Sequence, residues 1–294
     1  MLDARYHLFY LITIILMLGF GMLIGGSYYG PIQVNQQKKV VRSLAAQTNK
    51  VVQERNEARD RMTKDESALS SLRPAMVRGK LAGKRVILMQ TGDYPDAVQA
   101  ANTAVSDAGA MVAATVVLTD KWGALLPKQR EALSSVAAPT DAASQDKALL
   151  TALATALTAG SGAGSPALEA LKEQGLITVS GELSQPCTLF VLVGGKGDDT
   201  PNVLLDGFLL DGSLLDGFQA ASADVTLVGC EPLGAAASSI SAYQNAGIAT
   251  VDCIDLPLGQ LALPFALRGE KGDYGLKATA KQPLPDSLTG ASSL

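Results

Sequence analysis

The hydrophobic pattern divides this chain into three unlike regions. From Leu8 to Tyr29 the residues read LFYLITIILMLGFGMLIGGSYY, with no charge and no polar stripe. No Asp, Glu, Lys or Arg falls between Arg5 and Lys38. About 20 helical residues cross a hydrocarbon core, and a helix satisfies its own backbone there. Tyr6 and Tyr10 at one end, and Tyr28 and Tyr29 at the other, suit the two water–lipid boundaries. Residues 1–32 therefore read as a membrane anchor. A cleaved signal peptide is the competing reading, with Gly25, Gly26 and Ser27 near a cut. The apolar run is longer than a signal core of about 7–15 residues, and the preceding region is hardly basic. A buried soluble helix would show a polar face, which is missing. Gly21 and Gly25 form a GxxxG spacing that suits close helix approach or plain tolerance of glycine in lipid.

The pattern then changes period. Pro31 predicts a break. Gln33 to Arg73 contains no Gly or Pro and is mostly polar. A heptad with Val34, Val41, Thr48, Arg55, Met62, Leu69 and Met76 at a puts Gln37, Leu44, Val51, Ala58, Asp65 and Leu72 at d. The register holds without a stutter, although Arg55 and Asp65 interrupt the seam. Residues 33–82 read as a coiled-coil stalk that makes a homo-oligomer. The alternative is a single amphipathic helix lying on its own domain.

From residue 83 short apolar runs alternate with helical segments. Lys84–Gln90 is a buried strand, Tyr94–Ala108 a helix closed by Gly109, and Met111–Leu118 a second strand, together a βαβ unit. Helices follow over 127–136, 146–159 and 166–174, then a short strand over 176–179. Cys187–Val193 is apolar on both faces, as a central strand covered by helices should be. Further strands fall over 225–230 and 248–251, with a helix over 235–245 between them. The repeat LLDGF-LLDGS-LLDGF, residues 204–218, reads as a buried helix weakened by its glycines. Residues 83–275 are thus an α/β domain with a Rossmann-like parallel sheet. The tail, 276–294, is rich in Pro, Ser and Gly and reads as disordered.

Composition narrows the chemistry. A net charge of −4 gives no reason to expect nucleic acid. The single histidine, His7, lies at the membrane boundary, so a Ser-His-Asp or Cys-His centre and a His-ligated zinc cannot be built in the domain. No catalytic residues are predicted, and no enzyme. Gly194, Gly195 and Gly197 follow the central strand, where doubly wound folds place ligands. They are the candidate cofactor loop, although no P-loop pattern follows and a plain tight turn is the alternative.

Ala249-Thr250-Val251-Asp252-Cys253-Ile254-Asp255, then Gly259-Gln260, Ala266-Leu267 and Gly272-Asp273-Tyr274-Gly275, form an ordered closing signature. With Tyr6-His7 before the anchor, the stalk, Leu81 to Val86 and the Ala108–Val112 turn, it resembles the MctB family of mycobacterial copper-transport proteins. Cys253 stands where the family pattern has Asn. The resemblance implies an envelope protein of copper efflux or homeostasis with an extracytoplasmic domain. Its Asp252 and Asp255 belong to the signature, with no role assigned. One apolar helix and a layered domain do not make the closed barrel of a pore.

Copper is the metal so implied, and Cu(I) favours sulfur. Cys230 and Cys253, each near the carboxyl end of its strand, are the candidate pair; Cys187 lies at the opposite edge. The alternative is that all three are small core residues. Lys38, Lys39, Arg42 and Lys50 after the anchor argue for a cytoplasmic domain, against the resemblance. Three functions stay open: a copper-linked binding or assembly module, a structural envelope protein without copper, and an enzyme using the Gly194 loop.

Overall fold

The computed structural model describes residues 3–137, 141–160, 164–197, 213–222 and 224–290. Two compact units are present, Met1–Asp65 and Glu66–Leu294.

The first unit is helical throughout its described length. It belongs to α1, Asp3–Val77, which runs through position 31 without the predicted break. Tyr6–Gly25 within it is long and apolar enough to cross a membrane, with mean hydropathy 2.4 and no part buried by protein. From Lys38 to Asp65 every residue is exposed.

The second unit begins with the last turns of α1. The division between the two units lies at 65/66, within α1. Leu69 and Val77 pack into the domain core, and Arg73 donates to Asp107 (Nη2–Oδ2 2.6 Å) and to the Gln260 amide oxygen. After Val77 the chain turns through Gly79 and Gly83, both at positive φ, into the first strand.

That strand is β1, Arg85–Gln90. It is followed by α2, Pro95–Asp107; β2, Met111–Leu118; α3, Pro127–Ala132; α4, Ala142–Ala159; and α5, Pro166–Glu173. Next come β3, Ile177–Gly181; β4, Leu189–Val193; α6, Ser213–Ala221; β5, Thr226–Cys230; α7, Ile240–Asn245; and β6, Ala249–Val251. The chain closes with α8, Pro257–Leu267; β7, Asp273–Tyr274; and α9, Asp286–Thr289. Among the described residues the sheet has seven strands in the order β3-β2-β1-β4-β5-β6-β7.

All neighbours are parallel except β3, which runs antiparallel to β2, with Val116 opposite Val179. The α/β reading holds, with this edge strand reversed. Alternation along the strands splits the core in two. Ile87, Met89, Phe190 and Leu192 face α4, α5 and α6; Val86, Leu88, Leu189 and Val191 face α2, α8 and Val77. Phe190 meets Phe218 of α6 with ring centroids 4.4 Å apart.

Gly217, the third glycine of the five-residue repeat, lies where a Cβ would stand 2.9 Å from the Thr151 backbone of α4. Here the glycine lets two helices meet. The rest of the repeat before Ser213 lies outside the described residues.

Residues 276–290 of the tail are placed against the domain. Tyr274 bridges to Gln282, Leu284 and Leu288 pack against the core, and residues 286–289 form α9. Backbone hydrogen bonds and the packing of Leu284 and Leu288 together hold this segment against the domain.

Candidate functional site

The loop after β4 sits at the switch point, between β1 and β4, where open α/β sheets usually form a ligand crevice. Here backbone closes that crevice. Thr91 and Gly92 both donate to the Val193 carbonyl (2.9 and 3.1 Å), and Asp93 donates to Gly195 O at 3.2 Å. A Cβ on Gly92 would stand 2.1 Å from Gly195 O, so the two exits approach as closely as glycine allows.

An anion cradle needs free N–H groups. Gly194 N–H donates to Cys230 O (2.8 Å), Gly195 N–H to Ser239 Oγ (3.0 Å), and Lys196 N–H to Ala237 O (3.0 Å). The space beside Gly194 is filled by Tyr243 and Ser239. Tyr94 Oη donates to Lys196 O at 2.8 Å. Gly197 has open space beside it, and the chain beyond it lies outside the described residues. Gly194 and Gly195 thus form a hydrogen-bonded turn with no donor left for a phosphate.

Cys230 ends β5, and Cys253 lies two residues beyond Val251, the register partner of Cys230 on β6. Their strands are neighbours, and both side chains are fully buried. Burial pushes the Cys230 thiol far up, with smaller upward pushes from Cys253 and Glu231. Burial also raises Cys253, to about 12, helped by the Asp252 and Asp255 carboxylates. Cys187 precedes β4 at the other edge, its Sγ 3.2 Å from Arg85 O, and burial raises it too. The thiolate is the form that ligates Cu(I). Both thiols are enclosed in the core beside acidic neighbours. Among the described residues no group of three or more His, Cys, Asp or Glu side chains could hold a metal.

The two signature aspartates have definite work. Asp252 is buried; its Oδ1 accepts Leu276 N–H at 2.7 Å and its Oδ2 accepts Lys277 N–H at 3.0 Å. Gly275 lies between strand and clasp at φ +143, and a Cβ there would stand 1.8 Å from Asp252 Oδ1. Only glycine lets the chain pass over the carboxylate. Asp255 Oδ1 accepts Leu233 N–H at 2.8 Å and holds the β5 exit loop.

Sequence reasoning missed the acid beside them. Glu231 is fully buried, accepts from Ser238 Oγ and Ser239 N–H (both 2.7 Å), and pairs with Lys277. An acid placed directly after the apolar run of β5 was the available signal. Near it, Lys196 is buried with no hydrogen-bond partner for its ammonium among the described residues. Asp252, Glu231 and Lys277 together make a fastener for the carboxyl-terminal segment, with their acceptors occupied by protein.

At the opposite edge, a shallow hollow of about 390 Å³ is lined by Gln244, Lys271, Asp273 and Lys281. Of its two acids, Asp273 and Asp286, the first is already engaged by Thr250 (3.0 Å) and by Lys281 (2.6 Å).

Comparison with known proteins agrees with the signature. The family described as "Copper transport outer membrane protein, MctB" matches residues 1–285. Proteins named Copper transporter MctB from Mycobacterium bovis and from two strains of Mycobacterium tuberculosis are each 25% identical over 123 residues. That stretch is 42% of this chain and 39% of each relative, so the match spans about two fifths of their length. With the family match running from the apolar helix to the fastened tail, the chain belongs to the MctB family.

Proposed function

We propose that this chain is a single-pass envelope protein of copper homeostasis whose α/β domain is a binding or assembly module rather than a copper-ligating one. The observation that carries this reading is the family match over residues 1–285, which takes in the apolar helix, the rod and the domain as one unit. The relatives' printed name supplies the copper link. The chemistry of the domain argues for assembly. Its paired cysteines are raised and enclosed, its signature carboxylates hold backbone, and its Gly194 loop has spent its donors.

In this reading the Tyr6–Gly25 span stays in the bilayer, the domain lies outside the cytoplasm, and α1 joins copies. Lys38, Lys39, Arg42 and Lys50 run against that sidedness, but large domains translocate despite flanking charge.

The occupied donors and buried thiols also favour a second reading, a structural envelope protein without a copper role. Copper content and growth in copper separate the two. Cells lacking the chain should accumulate copper and recover when the full chain is restored. Unchanged copper content and tolerance would leave the structural reading in place. Protease treatment of intact cells tests the sidedness: digestion of the domain is expected, and protection would place it in the cytoplasm.

A further inference from the structure

We infer that residues 40–66 of α1 bind a second copy of this chain as a parallel, in-register, two-stranded coiled coil locked by Glu54 and Arg59. This rests on the proposed joining of copies and specifies its seam, direction and register.

Between Lys38 and Asp65 the exposed large apolar side chains are Val40, Val41, Leu44, Val51, Val52 and Met62. In the heptad with Val41 and Met62 at a, they fall at g, a, d, d, e and a. The outward positions b, c and f carry Lys39, Arg42, Ser43, Asn49, Lys50, Gln53, Asn56, Glu57, Asp60, Thr63 and Lys64, with Ala46 as the one apolar exception. A helix whose large apolar residues all fall on the a/d seam or its e/g flanks, with charged e/g residues beside them and polar residues outward, matches one facing helix. The single chain leaves this face open to solvent.

Charge decides the direction. In a parallel pair each g residue faces the e residue five positions on in the other strand. Glu54 at g then faces Arg59 at e of the second copy, and Arg61 at g faces Glu66 at e. Both contacts are attractive, and symmetry doubles each. Glu54 also lies beside the a-position Arg55 of the second copy, which offsets that seam defect. Within one chain these side chains make only exposed contacts, Lys50 to Glu54 at 3.8 Å and Arg61 to Glu57 at 4.0 Å. Asp65 at d, next to Glu66, disfavours extending the seam further. It coincides with the end of the first compact unit.

Thiol cross-linking of the full chain in detergent, with a short bis-maleimide, tests this. Val51→Cys at d should give mostly covalent dimer, and Gln53→Cys at f mostly monomer. Glu54→Arg should weaken association on the order of tenfold, and adding Arg59→Glu should restore it. Equal cross-linking at 51 and 53, or no rescue by the double exchange, would overturn the coiled coil. Light scattering separates the two levels. A wild-type dimer without the Val51→Cys cross-link rejects this seam and keeps the joining of copies; a wild-type monomer rejects both.

Discussion

The carboxylate of Asp252 accepts the backbone N–H of Leu276 at 2.7 Å, so a residue just past the sixth strand holds chain 24 positions later. Its other oxygen takes Lys277 N–H. These are part-buried hydrogen bonds to a charged acceptor, roughly 1.5–3 kcal/mol each. Asp252→Ala is expected to lower unfolding stability by about 3 kcal/mol. Gly275→Ala should do at least as much, through positive φ and the clash with Oδ1. Denaturant midpoints read both effects, and limited proteolysis should cut first within 276–290. Wild-type midpoints in both variants would show that the clasp carries no load.

The ion pair between Glu231 and Lys277 completes the fastener, with the acid fully buried. Removing one partner of such a pair strands the other charge and typically costs about 3–5 kcal/mol. Lys277→Met should therefore be the harsher change, and adding Glu231→Gln should return much of the loss. A double-mutant cycle by chemical denaturation measures the coupling; simple additivity would mean that the two side chains act independently.

Alkali should loosen the fold through the cysteines. Their folded values lie above the ordinary 9.0, with Cys253 near 12. The folded state thus holds protons that the unfolded chain has released. The stability they contribute is complete below about pH 9 and falls as pH rises toward 12. Unfolding midpoints between pH 8 and 11 should decline, and the slope should flatten in Cys253→Ala. An unchanged slope in that variant would assign the decline to other groups.

Arg73 ties the end of the long helix to Asp107 and Gln260 in a buried setting. Arg73→Met should raise amide exchange over residues 66–77 about tenfold or more while sparing β1 and β4. Exchange rising equally across the sheet would mean that Arg73 supports the domain as a whole.

The parts of the fold with a strong period were legible in the residues. β1, α2, β2 and β4 announce themselves by apolar runs between turn residues, and the apolar span by its length. The reversed direction of β3 was not legible, since five residues carry no mark of direction. α8 gives no periodic signal, because Pro257–Leu267 is buried almost all round and interrupted by Gly259 and Pro264, so no amphipathic stripe shows. β7 is two residues long. The tail's composition reads as loop, while its attachment runs through backbone N–H groups that no side-chain pattern displays. For the same reason Asp252 and Asp255 stood out as a signature without a role, and the occupied N–H groups of Gly194 and Gly195 do not show in a glycine-rich run.

Anchorage of the domain to the envelope requires the apolar helix at Tyr6–Gly25 to remain part of the mature protein and to stay in lipid. Alkaline carbonate extraction of cell envelopes, followed by intact mass of the recovered chain, tests this directly. The chain is expected in the membrane pellet with residues 6–25 still attached. Full-length chain in the soluble fraction, or membrane-free chain beginning after residue 25, would contradict it.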